Sequence, residues 1–207
     1  MTEILSLSQL PAPFLPALAD LHCATMPTLL TDLGQPFVLR YYQLAQKDAS
    51  VVALVAQDSS TISGYALGSP DPSVLNAQLR TPLPWFARQM LRLVFTRPGV
   101  LFQLAQSIFS ASDVNTLQPG QIELTYIGVA PEARGQGLGK TILAAFVGAS
   151  CAAGYKSVVL SVETDNPAAI ALYTKFGFTI TKTFTEGRYH RNRMEYQIAG
   201  SLPEQPA

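Results

Sequence analysis

The segment Arg134-Gly-Gln-Gly-Leu-Gly-Lys140 constrains this chain more than any other. Its three glycines alternate between a β-rich run ending at Val129 and an apolar-periodic stretch starting near Gly137. Glycine reaches φ > 0 at little steric cost and lets the backbone come close to a ligand. A helix starting here presents unpaired N–H groups and the positive end of its dipole. Together these suit an anion, and a pyrophosphate above all. Lys140 adds charge in the first turn. Two familiar phosphate loops do not match. A Walker A loop ending in Gly139-Lys140-Thr141 needs glycine at position 134, which is Arg. The dinucleotide fingerprint starting at Gly135 needs glycine at position 140, which is Lys. Taken alone, the cluster also reads as a glycine-rich turn without a ligand.

The rest of the chain places this loop in an alternating fold. Residues 3–7 read as a first strand, and a helix is expected from about Pro13 to Thr25, with proline tolerated in its first turn. A second helical pattern runs from about Pro36 to Lys47. Val51–Ala56 and Ile62–Leu67 flank a polar turn, which predicts a hairpin. Residues 73–117 read as two or three helices broken at Pro82, Pro84 and Pro98-Gly99. Beyond them, Ile122–Val129 is strand-like, Gly137–Ala153 helical, Ser157–Val162 strand and Pro167–Phe176 helix. Phe178–Phe184 and Met194–Ile198 read as closing strands.

Bulk properties narrow the function classes. With 207 residues and 48% apolar side chains, one sizeable core is expected. The formal charge is zero, from 14 basic and 14 acidic side chains, which argues against a nucleic-acid binder. Cys23 and Cys151 form no metal-ligand pattern and read as buried free thiols. No metal site is expected. The acidic start lacks a signal-peptide pattern, and no apolar run reaches the ~18 residues of a spanning helix. A soluble, cytoplasmic protein is expected.

Val-x-Pro-x-x-Arg-Gly-x-Gly-x-Gly, starting at Val129, is followed about thirty residues later by Asn166-Pro-Ala-Ala-Ile-Ala-Leu-Tyr173-Thr-Lys-Phe-Gly-Phe178. These two blocks, in this order and spacing, resemble the GNAT N-acetyltransferase superfamily. Arg134, Gly137 and Gly139 match its central pattern. Asn166, Ala169, Tyr173, Gly177 and Phe178 match its second block. The match covers about residues 121–184.

The resemblance implies an α/β (α+β) GNAT fold. Its mixed central sheet of six to seven strands is split at two central parallel strands and flanked by helices. Residues 1–200 would form one domain, with a helical insertion at about 73–117 and a flexible tail at 201–207. It implies acetyl-CoA as co-substrate and a small-molecule or protein amine as acceptor, attacked directly in a ternary complex. The backbone of Ile127, Gly128 and Val129 would pair with the pantetheine arm. The amides of Arg134, Gly135, Gln136, Gly137, Leu138, Gly139 and Lys140 would hold the pyrophosphate. Asn166 would contact the cofactor, although it also reads as an N-cap before Pro167.

Tyr173 would be the general acid for the departing thiolate, its phenol ordinarily titrating near pH ~10; it also reads as core packing. Some members carry the general base on the strand before the glycine loop, where Glu123 stands with the parity of Thr125, Ile127 and Val129. Glu123 reads equally as a rim charge. Other members place a Glu on the next strand, but Ser161 occupies that position, and Glu163 lies two residues further on. Two further readings are a CoA-binding module without turnover and a transferase of longer acyl chains.

The insertion holds Arg80, Arg88, Arg92 and Arg97, with no acid between Asp71 and Asp113. It reads as a packed embellishment, as a lid over the acceptor, or as a basic amphipathic helix making membrane-surface contact through residues 80–110. Arg188, Arg191 and Arg193, with His190, form a second basic cluster near the expected acceptor pocket. His190 reads as a surface side chain. Oligomeric state is not legible.

Overall fold

The computed structural model describes residues 2–58, 61–97, 99, 117–186 and 189–198. Strand β1 spans Glu3–Ser6, and helix α1 spans Leu15–Thr25 after a short 3-10 turn at Ala12–Phe14. Pro16 sits in the first turn of α1, and extended Met26, which precedes Pro27, ends it. Helix α2, Leu29–Leu33, is capped by the Thr28 side chain. Gly34 at φ +100° separates it from α3, Gln35–Ala45. The sequence pattern does not announce α2, because five residues carry too little periodicity.

Strands β2, Val52–Asp58, and β3, Thr61–Ser69, form the expected antiparallel hairpin. Helices α4, Pro72–Gln78, and α5, Leu83–Thr96, follow. Then come β4 (Gln121–Val129), α6 (Leu138–Ala152), β5 (Ser157–Glu163) and α7 (Pro167–Phe176). Strands β6, Thr179–Glu186, and β7, Tyr189–Gln197, close the described chain. Strand β7 starts five residues before the expected Met194, because its polar residues pair with β5 and β6 rather than filling an apolar run. The expected tail at 201–207 lies outside the described residues, as do Pro98 and residues 100–116 of the insertion.

The seven strands form one sheet in the order β1-β2-β3-β4-β5-β7-β6. Among the described residues, only β4 and β5 pair in parallel. An apolar cluster covers each face. One holds Leu18, Phe37, Tyr41, Tyr42 and Tyr65 under α1 and α3. The other holds Ile122, Leu143, Phe146, Leu160 and Tyr173 under α6 and α7. Helix α5 docks on α3, with Trp85 and Phe86 rings 5.1 and 6.2 Å from that of Phe37. The described part of the insertion is therefore packed. Arg88 and Arg92 nonetheless face water.

Strand β4 carries a bulge that changes the parity expected for Glu123. Leu67 pairs with Tyr126 and Gly68 with Leu124, leaving Thr125 as the extra residue. Ile122 and Leu124 join the α6–α7 cluster before the bulge, and Ile127 and Val129 join it afterwards. Glu123 thus lies on the opposite face, with Tyr126, and not with Ile127 and Val129. The cysteine expectation also needs correction. Cys23 is half-buried and Cys151 is exposed, because it turns away from the face of α6 that buries Phe146 and Ser150.

His22 is fully buried among the rings of Tyr42, Tyr65 and Tyr126. Its Nδ1 lies 2.9 Å from the Tyr42 hydroxyl, while Nε2 has no partner. Burial lowers its pKa from 6.5 to about 4. Below the unfolded value the unfolded chain binds a proton that the folded chain refuses. Stability is therefore full above pH ~6.5 and falls as pH drops toward ~4, by about 3 kcal/mol. Urea denaturation across this window should show that loss, and His22→Gln should remove most of the dependence on pH.

Candidate active site at the split between β4 and β5

Parallel pairing of β4 with β5 covers three positions: Gln121 with Ser157, Ile122 with Val158 and Glu123 with Val159. Beyond them the strands part. Each keeps its outer partner, β4 to β3 as far as Val129 and β5 to β7 as far as Glu163. The Ala130 amide donates to the Ser63 carbonyl at 2.8 Å. In an antiparallel ladder the backbone groups alternate in direction. Those of Gly128 and Ala130 therefore point to β3, and those of Ile127 and Val129 point into the split. Gly128 has a steric role: a Cβ there would lie 2.6 Å from the Tyr65 ring and 2.7 Å from Thr25 Oγ1.

The glycine loop lies at the end of β4. Gly135 and Gly137 take φ values of +76° and +81°, and no atom lies within 4 Å of an added Cβ at either. Glycine is needed there for backbone conformation rather than for space. Gly137 is the N-cap of α6 and offers no side chain to its amides. Among the described residues, none of the amides of Gly135 through Lys140 donates a well-formed hydrogen bond. Thr141, the next residue, donates to the Gly137 carbonyl. Lys140 is exposed beside them, and Arg134 Nε donates to the Val129 carbonyl at 3.2 Å.

Helix α7 approaches from the same side. Asn166 is its N-cap, with Oδ1 accepting from the Ala169 amide at 3.1 Å and Pro167 at N1. Its side-chain NH2 is left to donate elsewhere. Tyr173 is buried in the cluster that includes Ile127 and Val129, its ring 5.7 Å from that of Phe178. Burial pushes its phenol up to about 12.

The other face of the split is polar at its base. Arg193 on β7 donates to Glu123 Oε1 at 2.7 Å and to Ser161 Oγ at 3.0 Å. Both charged side chains are 12% exposed, so Glu123 is a paired, largely buried carboxylate and not a rim charge. Tyr126 and Tyr41 lie beside it, their rings 5.6 Å apart. Burial raises both phenols, Tyr126 to about 12, and nearby Glu123 adds to the shift of each. The Tyr41 hydroxyl is buried without a partner.

The structure thus brings Ile127, Val129, Tyr173 and the glycine loop to one side, and Glu123 to the other. Arg193 was legible only as one member of a basic cluster; its reach to a carboxylate 70 positions away leaves no local signal. Arg188 of that cluster lies outside the described residues. His190 is on the surface, with Nδ1 3.0 Å from Thr185 Oγ1. Among the described residues no group of His, Cys, Asp and Glu could hold a metal ion.

The site is thus a seven-stranded mixed sheet splayed between its parallel strands, with an amide-lined loop at the opening. The model of the acetyltransferase (GNAT) family matches residues 15–178. The chain belongs to the GNAT acetyltransferase family. It is 29% identical over 175 residues to a mycothiol acetyltransferase of Mycobacteroides abscessus, covering 75% of this chain and 58% of that relative. The chain therefore spans little more than half the length of that relative. Its fold is similar to the ribosomal-protein-S18-alanine N-acetyltransferase of Escherichia coli, with a TM-score of 0.61, 16% identity and full coverage of both chains. It is also similar to YncA of Salmonella typhimurium, solved with acetyl-CoA, with a TM-score of 0.62 and 16% identity, covering 100% and 99% of the two chains.

The glycine loop can be tested directly. An L-residue in the left-handed region costs about 1–2 kcal/mol. Gly137→Ala should weaken coenzyme A binding about tenfold by isothermal titration, with little change in thermal stability if the loop relaxes. Unchanged affinity in both Gly135→Ala and Gly137→Ala would separate this loop from ligand binding.

Proposed function

We propose that this chain transfers an acetyl group from acetyl-CoA to an amine by direct attack within a ternary complex. The observation that carries this reading is the split. It offers inward-facing backbone groups of Ile127 and Val129 in line with the unpaired amides of residues 135–140. That order fits a ligand with a strand-like amide arm followed by a pyrophosphate, which coenzyme A is. Acetyl-CoA supplies an activated thioester whose sulfur can leave.

The chain's residues divide the work. Ile127 and Val129 hold the arm as an added strand would, and the Val129 N–H polarises the acyl carbonyl. The amides of Gly135 through Lys140, with the Lys140 charge, hold the pyrophosphate, and Asn166 contributes its free NH2. Glu123, on the far face, accepts the proton that the amine loses as its nitrogen attacks. Arg193 holds that carboxylate in place and yields part of its hold when the proton arrives. Tyr173 hydrogen-bonds the departing sulfur from the cofactor side. With its phenol near 12 against a thiol near ~8.5, full proton transfer would be uphill, so a hydrogen bond to the developing thiolate is its contribution.

The acceptor is an amine admitted from the face of α1 and α3. The name of the mycothiol acetyltransferases makes their acceptor the first to try, beside amino sugars, amino acids, polyamines and peptide N-termini. Thiol release from acetyl-CoA across such a panel tests the reading. Coenzyme A binding without release on any amine would make the chain a binding module instead.

Two variants test the assigned roles. Tyr173→Phe should lower kcat about tenfold or more with acetyl-CoA affinity retained. In the parent enzyme no alkaline loss attributable to Tyr173 should appear below pH ~11, because its phenol keeps its proton until about 12. Glu123→Gln should lower kcat/KM about a hundredfold or more, again with acetyl-CoA affinity retained. Full turnover in either variant removes that residue from the mechanism.

A further inference from the structure

Helix α5 has a wide apolar arc, and among the described residues the core covers only part of it. Trp85, Phe86, Met90 and Leu93 turn inward against the cluster under α3. At about 100° per residue, Leu83, Ala87, Leu91, Val94 and Phe95 fall within an arc of about 120° that starts beside Met90 and turns away from Trp85 and Leu93. Leu83 is 70% exposed, Leu91 60%, Val94 48% and Phe95 80%. Scattered exposed leucines need no explanation, but a row of large apolar side chains along one helix face marks an interaction surface.

Charge decides what fits this face. Arg88 and Arg92 border the apolar arc and are exposed, and exposed Arg80 lies just before the helix. No acid occurs between Asp71 and Asp113. Arg97, at the end of the helix, is committed to the Asp32 carbonyl at 3.2 Å. A second copy docking about a twofold axis would bring the same arginine border against itself, with no carboxylate on α5 to offset it. A bilayer with anionic headgroups offers both halves of what the face needs: an acyl boundary for the arc and phosphates for the arginines. Fourteen residues are too few to cross a bilayer, so the helix would lie in the interface plane.

We propose that α5 docks the protein on an anionic lipid surface, with Leu83, Leu91, Val94 and Phe95 entering the headgroup–acyl boundary and Arg88 and Arg92 pairing with lipid phosphates. This does not depend on the acyl-transfer reading.

The test is sedimentation of the full chain with vesicles of phosphatidylglycerol and phosphatidylcholine, and with phosphatidylcholine alone. Binding to the mixed vesicles, and binding about thirtyfold weaker or more to the neutral ones, are expected. The Arg88→Gln/Arg92→Gln pair should weaken mixed-vesicle binding about thirtyfold, and added salt should reproduce that loss. The Leu91→Gln/Phe95→Gln pair should abolish it. An unchanged far-UV circular dichroism spectrum and thermal midpoint check that each variant is folded, and if the apolar pair fails that check the arginine pair decides. No binding of the parent chain to mixed vesicles overturns the proposal. So does binding that neither pair alters. A concentration-dependent dimer in ultracentrifugation, lost in Leu91→Gln/Phe95→Gln, would overturn it by assigning the face to a second copy.

Discussion

Everything at the candidate site depends on two neighbouring strands ceasing to pair. Strands β4 and β5 share three register positions and then part, while each stays bonded to its outer neighbour. Backbone N–H and C=O groups seek partners when removed from water, so the two inner edges are poised for a strand-like ligand. The bulge at Thr125 adds local twist just beyond the last parallel pair and re-aims the side chains that follow. It returns Ile127 and Val129 to the face of α6 and α7, and sets Glu123 and Tyr126 on the other. The opening and the division of labour across it share one irregularity.

Arg193 is the side-chain counterpart of that backbone arrangement. It stands opposite Ser161 in the ladder, two positions past the last β4–β5 pair on β5. From β7 it reaches over β5 to Glu123 on β4, so one guanidinium ties both lips where backbone bonds stop. Such a pair adds little net stability, because desolvation of the two charges offsets most of their attraction. Its effect is positional. A carboxylate left loose beside the Tyr41 hydroxyl, which has no partner among the described residues, would have several arrangements, and Arg193 Nη1, bonded to Glu123 and Ser161 together, selects one.

The C-terminal half was legible because its signals are local. Pro167 at N1, Asn166 as cap and Gly177 in the left-handed region fix α7 within twelve residues, and expected and observed boundaries coincide. The glycine loop was legible for the same reason, since strand, turn and helix start are contiguous. What stayed hidden depends on pairing across the sheet. The bulge is visible only in the register of β3 against β4, so a simple alternation put Glu123 on the wrong face. The buried ring set of His22, Tyr42, Tyr65 and Tyr126 is assembled from α1, α3, β3 and β4, and no stretch of sequence announces it. Cys151 shows the converse: a residue type that is usually buried lies outside because its helix phase puts it there.

The separation of Tyr173 from Glu123 bears on how a proton can move through such a site. The two lie on opposite faces of the sheet, one in an apolar cluster and one in a polar pair. No relay between them is needed if the amine's proton leaves on one side while charge appears on sulfur at the other. Burial that lifts the Tyr173 phenol to about 12 keeps it protonated at any working pH, so in the proposed mechanism it would not ionise beside the leaving group. The same desolvation would strengthen the proposed hydrogen bond to a developing thiolate, because the surroundings screen it weakly. A buried tyrosine is thus a poor acid in isolation and a good stabiliser of departing charge, and the apolar packing around it accounts for both.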